Sequence, residues 1–97
     1  MQVGRRRFFL VERYIPSISS TSVASAARRL VGPVDAPTRH LVTLLVADEE
    51  TCLSVFEATD PGAVAVANAD AGFPLDRIVE LDLVIAPGLP DADLDPA

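Results

Sequence analysis

The sequence lacks lysine and tryptophan, and it has a single cysteine and a single histidine. One cysteine excludes an internal disulfide, so the fold must rest on packing alone, which favours a reducing cytoplasm as the location. One histidine limits the nitrogen ligands that a chain can offer to a transition metal. Long apolar runs are also missing, because no stretch approaches the 18 or so residues of a membrane span.

Positive charge is scarce: the net charge is −6, with fourteen acids against eight arginines. Nucleic acids and anionic membranes bind clustered positive charge, so neither is expected as a partner. The one basic cluster, at 5–7, is interpreted as a solvated terminus. Together with Phe9 and Leu10 it resembles a twin-arginine export signal, but the apolar run stops at Val11, short of the 7–15 residues such a signal needs.

The length of 97 residues predicts one domain. We assign that domain to residues 5–86. Residues 87–97 are rich in proline and acids, and we expect them to form a disordered tail.

Local signals predict the order of helices and strands. Apolar alternation indicates strands at 8–14, 40–46 and 51–57 and a last strand near 78–85. Ser19 or Ser20 begins one helix, and Asp60 before Pro61 begins a second, which Gly72 ends. The resulting β-α-β-β-α-β order predicts a ferredoxin-like α+β fold, a four-stranded antiparallel sheet with two helices on one face.

The uncovered face of this sheet is where we expect a partner. We place Val79, Leu81 and Leu83 under the helices. The side chains expected on the uncovered face are Phe8, Leu10, Glu12, Cys52, Ser54, Phe56, Glu80 and Asp82. So large an apolar surface is unusual on a monomer, so we expect a homodimer, a dimeric α+β barrel. Its interior either holds a ligand or is filled by Phe8, Leu10 and Phe56.

Four stretches together resemble a known family. They are FLVER at 9–13 with the following IP, RHLV at 39–42, TCLSVFEA at 51–58 and AGFPLDRI at 71–78. These stretches are similar to a family of small bacterial ferredoxin-like domains of unknown function, which includes an actinobacterial nickel-binding protein. The similarity spans residues 8–83. It implies a dimer able to hold a divalent transition metal such as nickel in or near the barrel.

Five residues are candidates for a site. His40, Glu12 and Glu80 are the candidate metal ligands, although His40 also fits an ordinary residue at the start of an edge strand. Glu12, Arg13 and Cys52 are the candidate residues for binding a small molecule. Charges in a central strand are costly unless paired, so Glu12 and Arg13 either bind a ligand or pair with neighbouring side chains. No activating base accompanies Cys52, which favours a buried thiol over a nucleophile.

We therefore predict a small, non-catalytic, homodimeric binding protein, with no catalytic residues assigned. The alternative is a cofactor-free enzyme of the dimeric barrel type, a monooxygenase or isomerase acting on a small organic substrate. That alternative requires His40 and Glu12 to face one cavity as acid and base. A purely structural interaction domain requires only the dimer.

Overall fold

The computed structural model describes residues 6–30, 37–82 and 84–85. Its strands are β1 (Arg7–Tyr14), β2 (Thr38–Val46), β3 (Thr51–Ala58) and β4 (Arg77–Leu81), and its helices are α1 (Ser20–Arg28) and α2 (Pro61–Asp70). The connector at 31–36, the predicted place of Leu83 and the predicted disordered tail at 87–97 lie outside the described residues.

The four strands form one antiparallel sheet in the order β2-β3-β1-β4. A single 3-10 turn at Ala47–Glu49 joins β2 to β3, and Glu50 closes it with a left-handed φ of 50°. Together with the two helices, this arrangement confirms the predicted ferredoxin-like α+β fold.

The helix ends follow the local signals in the sequence. The Ser19 hydroxyl accepts from the backbone N–H of Ser22, and the Ser22 side chain reaches back to complete a capping box. At α2, the Asp60 carboxylate accepts from the N–H of Ala63 at 2.8 Å. Gly72 follows α2 with a φ of +68°, the left-handed conformation in which a side chain would be strained.

The core lies between the helices and one face of the sheet. Phe9 and Val11 of β1 contribute to it beside Phe56 and Ala58 of β3, and all four are at most 1% exposed. The helices and the segment after α2 cover them with Val23, Ala26, Leu30, Val64, Ala71 and Phe73. The helix-covered face therefore consists of the odd-numbered residues of β1 and the even-numbered residues of β3.

The observed positions of these side chains correct part of the predicted face assignment. Cys52, Ser54 and Phe56 lie under the helices and are fully buried, not on the uncovered face. In β4 the assignment was also wrong, because Val79 pairs with Leu10 and Leu81 pairs with Phe8, which places them on the uncovered face. Apolar side chains occur on both faces of these strands, so alternation alone did not identify the face that lies under the helices.

The helices α1 and α2 are nine and ten residues long, and no helix in the described part of the chain is long and apolar enough to cross a membrane.

Candidate functional site

A β-bulge in the edge strand β2 creates the most polar part of the helix-covered face. The pairing of β2 with β3 shifts between His40, opposite Phe56, and Val42, opposite Val55. In a regular strand, residues three apart point to opposite faces. The extra residue at the bulge brings His40 and Thr43 to the same face, where His40 Nε2 lies 2.6 Å from Thr43 Oγ1.

Arg13 extends from β1 into the core beneath the helices, and it is fully buried. Its Nη1 donates to Ser54 Oγ at 2.8 Å, and its Nη2 donates to Asn68 Oδ1. The guanidinium carbon lies 3.7 Å from the centroid of the Phe73 ring, a cation–π contact. Within the described residues, its Nε has no hydrogen-bond partner and none of its contacts is a carboxylate. The core thus holds a cation that is solvated by neutral groups alone.

The side chain of Asn68 is oriented so that its carbonyl oxygen accepts from Arg13. It is fully buried on α2, and its Nδ2 donates to the Val64 carbonyl one turn earlier, at 2.8 Å. That bond fixes which end of the amide points away from the helix. The carbonyl oxygen is therefore presented to Arg13.

A continuous chain of hydrogen bonds connects Arg13 to His40 across three strands. After the Arg13–Ser54 bond, Ser54 Oγ lies 2.7 Å from Thr43 Oγ1, which in turn lies 2.6 Å from His40 Nε2. Arg13, Ser54 and Thr43 belong to β1, β3 and β2, and they occupy neighbouring positions on the helix-covered face. We call these four residues the polar chain.

The arginine sets the direction of the first bond in the polar chain, because a guanidinium only donates and Ser54 Oγ accepts from it. The arrangement that also satisfies the buried Ser54 hydroxyl as a donor has Ser54 donating to Thr43. Thr43 then donates to His40 Nε2. In this arrangement the imidazole Nε2 is the acceptor and His40 is neutral with its proton on Nδ1.

Burial and the polar chain act together on the titratable groups here. Burial lowers the pKa of His40, a hydrogen bond to the Val42 backbone opposes this, and the charge of Arg13 lowers it further. Burial raises the pKa of the Cys52 thiol, although Arg13 acts against the rise. Both groups are therefore neutral at pH 7, and Cys52 has the properties of a buried core thiol.

The uncovered side of the sheet, which we call the open face, has a different character. Its apolar side chains are Phe8, Leu10, Val42, Leu44, Val46, Leu53, Val55, Val79 and Leu81. Two carboxylates lie among them. Glu57 is bracketed by Arg6 at 3.7 Å and Arg39 at 3.4 Å, and Glu12 accepts from the Tyr14 hydroxyl at 2.7 Å.

The structure does not bring the predicted metal ligands together within one chain. His40 and Glu80 share a row of the helix-covered face, His40–Phe56–Phe9–Glu80, but they lie on opposite edge strands. Three strand spacings separate them, about 14 Å. Glu12 lies on the open face. Glu80 was expected there too, but it pairs with Phe9 and binds Arg7 at 3.1 Å.

The same placement divides the predicted small-molecule residues. Arg13 and Cys52 are fully buried beneath the helices, with Arg13 Nη1 3.8 Å from Cys52 Sγ, whereas Glu12 lies on the open face. The sequence patterns did not predict contacts of Arg13 with Ser54 and Asn68, or the connection through Ser54 to Thr43. A signal was available, since these are polar residues within otherwise apolar segments.

A nickel centre does not fit the described residues of a single chain. They contain no group of three or more His, Cys, Asp or Glu side chains that could hold a metal ion. Nickel favours imidazole nitrogen, but Nε2 of the one histidine is hydrogen-bonded to Thr43. Glu12 is the remaining predicted ligand that faces outward from the core, with Arg77 Nε 3.7 Å from its carboxylate.

Comparisons with known proteins agree with the fold. The crystal structure of SCO4226 from Streptomyces coelicolor A3(2) superposes with a TM-score of 0.71 at 20% sequence identity. The alignment covers 80% of this chain and 99% of that one. Comparison with curated protein sequences gives no match.

A sequence model of one family covers most of the described domain. It is described as the nickel responsive protein SCO4226-like family, and it matches residues 9–81 from β1 to the end of β4. The chain therefore belongs to the SCO4226-like family of nickel-responsive proteins.

Proposed function

We propose that this chain is a small, non-catalytic binding protein that acts as a homodimer through its open face and holds a divalent transition metal such as nickel between the two chains. The observation that carries the proposal is the open face itself, where the buried Glu57 and the half-buried Glu12 lie within an apolar surface that neither α1 nor α2 covers.

The apolar content of the open face supports the dimer. Leu44 and Val46 are 52% and 43% exposed, and the side chains around them are also only partly covered. Monomers seldom expose a contiguous apolar patch larger than a few hundred Å². The charges on this face do not oppose association, because Glu57 and Glu12 each have an arginine of the same chain nearby.

Sedimentation equilibrium of charge variants tests the dimer. Val55→Asp places a carboxylate in the central strand β3, and Leu44→Asp places one on the edge strand β2. We expect each to weaken dimerisation by about 100-fold or more, because two unpaired charges become buried. The matched control is Val66→Asp, which changes a 60% exposed residue of α2 on the other side of the molecule. A wild-type monomer at micromolar concentration, or equal effects of all three variants, would refute this interface.

Nickel is the finer part of the proposal, and its support is the family description together with the position of Glu12. Glu12 lies on the central strand β1, its side chain is 16% exposed, and its Arg77 contact is long at 3.7 Å. A facing copy would bring a second Glu12 to the same interface. Carboxylate and water ligands from the two chains would then form a shell that the described residues of one chain do not supply.

Calorimetric titration with nickel tests this step. We expect saturable binding to the wild type that Glu12→Gln weakens at least about tenfold, because the homodimer loses the Glu12 carboxylate of each chain. His40→Gln is the comparison variant, since its amide oxygen can still accept from Thr43, and we expect its nickel affinity to match the wild type. No heat with the wild type, or loss of binding in the His40 variant alone, would exclude the site between the chains.

The enzyme alternative loses its structural basis within one chain. It needed an acid and a base in one cavity, but His40 lies beneath the helices and Glu12 lies on the open face. His40 is also engaged with Thr43 through the nitrogen that would act as the base.

A further inference from the structure

A concave site lies on the helix side of the molecule, away from the open face and independent of the proposed metal. It is a pocket of about 220 Å³ between α1 and the segment that follows α2. Its lining residues include Ile15, Ile18, Val23, Phe73 and Pro74, with Arg29 at its rim. The volume is below the 300–1,000 Å³ or so of pockets for drug-sized ligands, so its occupant must be small.

The charge around this pocket is unlike that of the chain as a whole. The protein has fourteen acids and a net charge of −6, but none of the described residues that line the pocket is acidic. Arg29 lies at the rim, and Arg13 lies beneath the Phe73 ring at 3.7 Å. The described contacts of Arg13 are neutral, so no carboxylate cancels its charge locally. The pocket therefore combines an apolar floor with a positive potential.

Arg29 is held in place for a role at the rim. Its Nε donates to the Ala71 carbonyl at 2.6 Å, which joins the end of α1 to the end of α2. Its Nη1 lies 3.4 Å from both the carbonyl and the hydroxyl oxygen of Ser25, at the outer limit of a hydrogen bond. The guanidinium is thus positioned by one strong bond, and its outer edge retains donors for a ligand.

We propose that this pocket binds a small apolar carboxylate, with its hydrocarbon part against Phe73 and Val23 and its carboxylate at Arg29. A ligand ring or chain packs on the pocket side of Phe73 and completes the apolar floor. A carboxylate meets the fork of the Arg29 guanidinium, the pairing in which arginine binds most strongly. A cation in the same place would face Arg29, with the buried Arg13 against the Phe73 ring, so the site discriminates by charge.

Nuclear magnetic resonance titration of the full-length chain tests the proposal, with sodium benzoate as the probe at constant ionic strength. We expect saturable shifts of the backbone amides of Gly72, Phe73 and Ala26. Benzyl alcohol, which keeps the ring and lacks the charge, should bind about tenfold more weakly, and acetate, which lacks the ring, should give no saturable shifts there.

Two neighbouring arginines provide matched variants, and because both are exposed we expect both variants to fold. Arg29→Gln should raise the benzoate dissociation constant about tenfold or more, whereas Arg28→Gln, which removes a charge outside the pocket, should change it less than about twofold. Equal affinity for benzoate and benzyl alcohol, equal effects of the two variants, or no saturable shift at 10 mM or so would each overturn the proposal.

Discussion

The two faces of this sheet treat charge in opposite ways. Under the helices, Arg13 is fully buried and is solvated by Ser54, Asn68 and the Phe73 ring, which are all neutral. On the open face, Glu57 is nearly as buried but lies between Arg6 and Arg39, whose side chains are 31% and 32% exposed.

The two buried charges should respond differently to the loss of a hydrogen-bonding or ion-pair partner. A charge sealed in the core cannot regain water, so each of its neutral partners is indispensable. For a charge whose partners reach solvent the loss of stability is smaller, because water replaces the missing bond. The helix-covered face should thus be intolerant of polar substitutions, whereas the open face should tolerate them and respond mainly to changes in association.

The largest expected effect follows from Asn68→Leu. The change removes the oxygen that accepts from Arg13 Nη2 and leaves a buried donor of a charged group without a partner. We expect the free energy of unfolding to fall by about 3 kcal/mol or more, measured by urea unfolding at one fixed protein concentration.

The control for this variant is the double substitution Arg13→Met with Asn68→Leu. Replacing both members of a buried polar pair with apolar side chains of similar volume is often close to neutral. The double variant should therefore recover most of the lost stability. A loss below about 1 kcal/mol for Asn68→Leu alone would show that the buried cation does not depend on this amide.

The open-face counterpart is Glu57→Gln, for which we expect a smaller loss of about 1 kcal/mol. The amide keeps an acceptor oxygen, and both arginines are exposed enough to be hydrated. The same urea measurement at the same protein concentration gives the comparison. If the loss equalled that of Asn68→Leu, the proposed contrast between the two faces would be wrong.

The fold was predictable because its signals are local. The Asp60–Pro61 pair and Gly72 act through nearby backbone, and each appears in the structure as expected. Local signals did not predict which side of the sheet is the helix-covered face. Phe8 and Phe9 are adjacent and equally apolar, so the choice between them rests on how the helices cover the assembled sheet.

The polar chain was harder to predict than either face. His40 and Thr43 share a face because of a bulge, and the sequence 39–46 carries no glycine that would indicate one. Arg13 was identified as a costly charge in a central strand. Its hydrogen-bond partners come from β3 and from α2, at sequence separations of 41 for Ser54 and 55 for Asn68. Such contacts exist only after the fold has formed.

A pH dependence specific to His40 is the next effect in size. Burial lowers its pKa below the ordinary value of about 6.5. Between the two pKa values the unfolded chain binds more protons than the folded one, so the free energy of unfolding should fall as the pH drops below about 6.5. Above that pH this residue should contribute no pH dependence.

His40→Gln isolates this effect, because the chain has no other histidine. The difference in unfolding free energy between the wild type and this variant, measured from pH 7.5 to 5.5, should change in favour of the variant as the pH falls. A constant difference across that range, or a change in favour of the wild type, would contradict the neutral state that the polar chain imposes on His40.

The smallest effect is expected for Glu80→Gln at the edge of the sheet. Glu80 binds Arg7 at 3.1 Å, but the two side chains are 47% and 35% exposed. Exposed ion pairs of this kind contribute at most about 1 kcal/mol, so we expect a loss below about 0.5 kcal/mol in the urea measurement. Glu80 also lies three strands from His40, on the face opposite to Glu12, so the nickel titration should be unchanged. A nickel affinity that fell with Glu80→Gln would return this carboxylate to the ligand set and contradict a site on the open face.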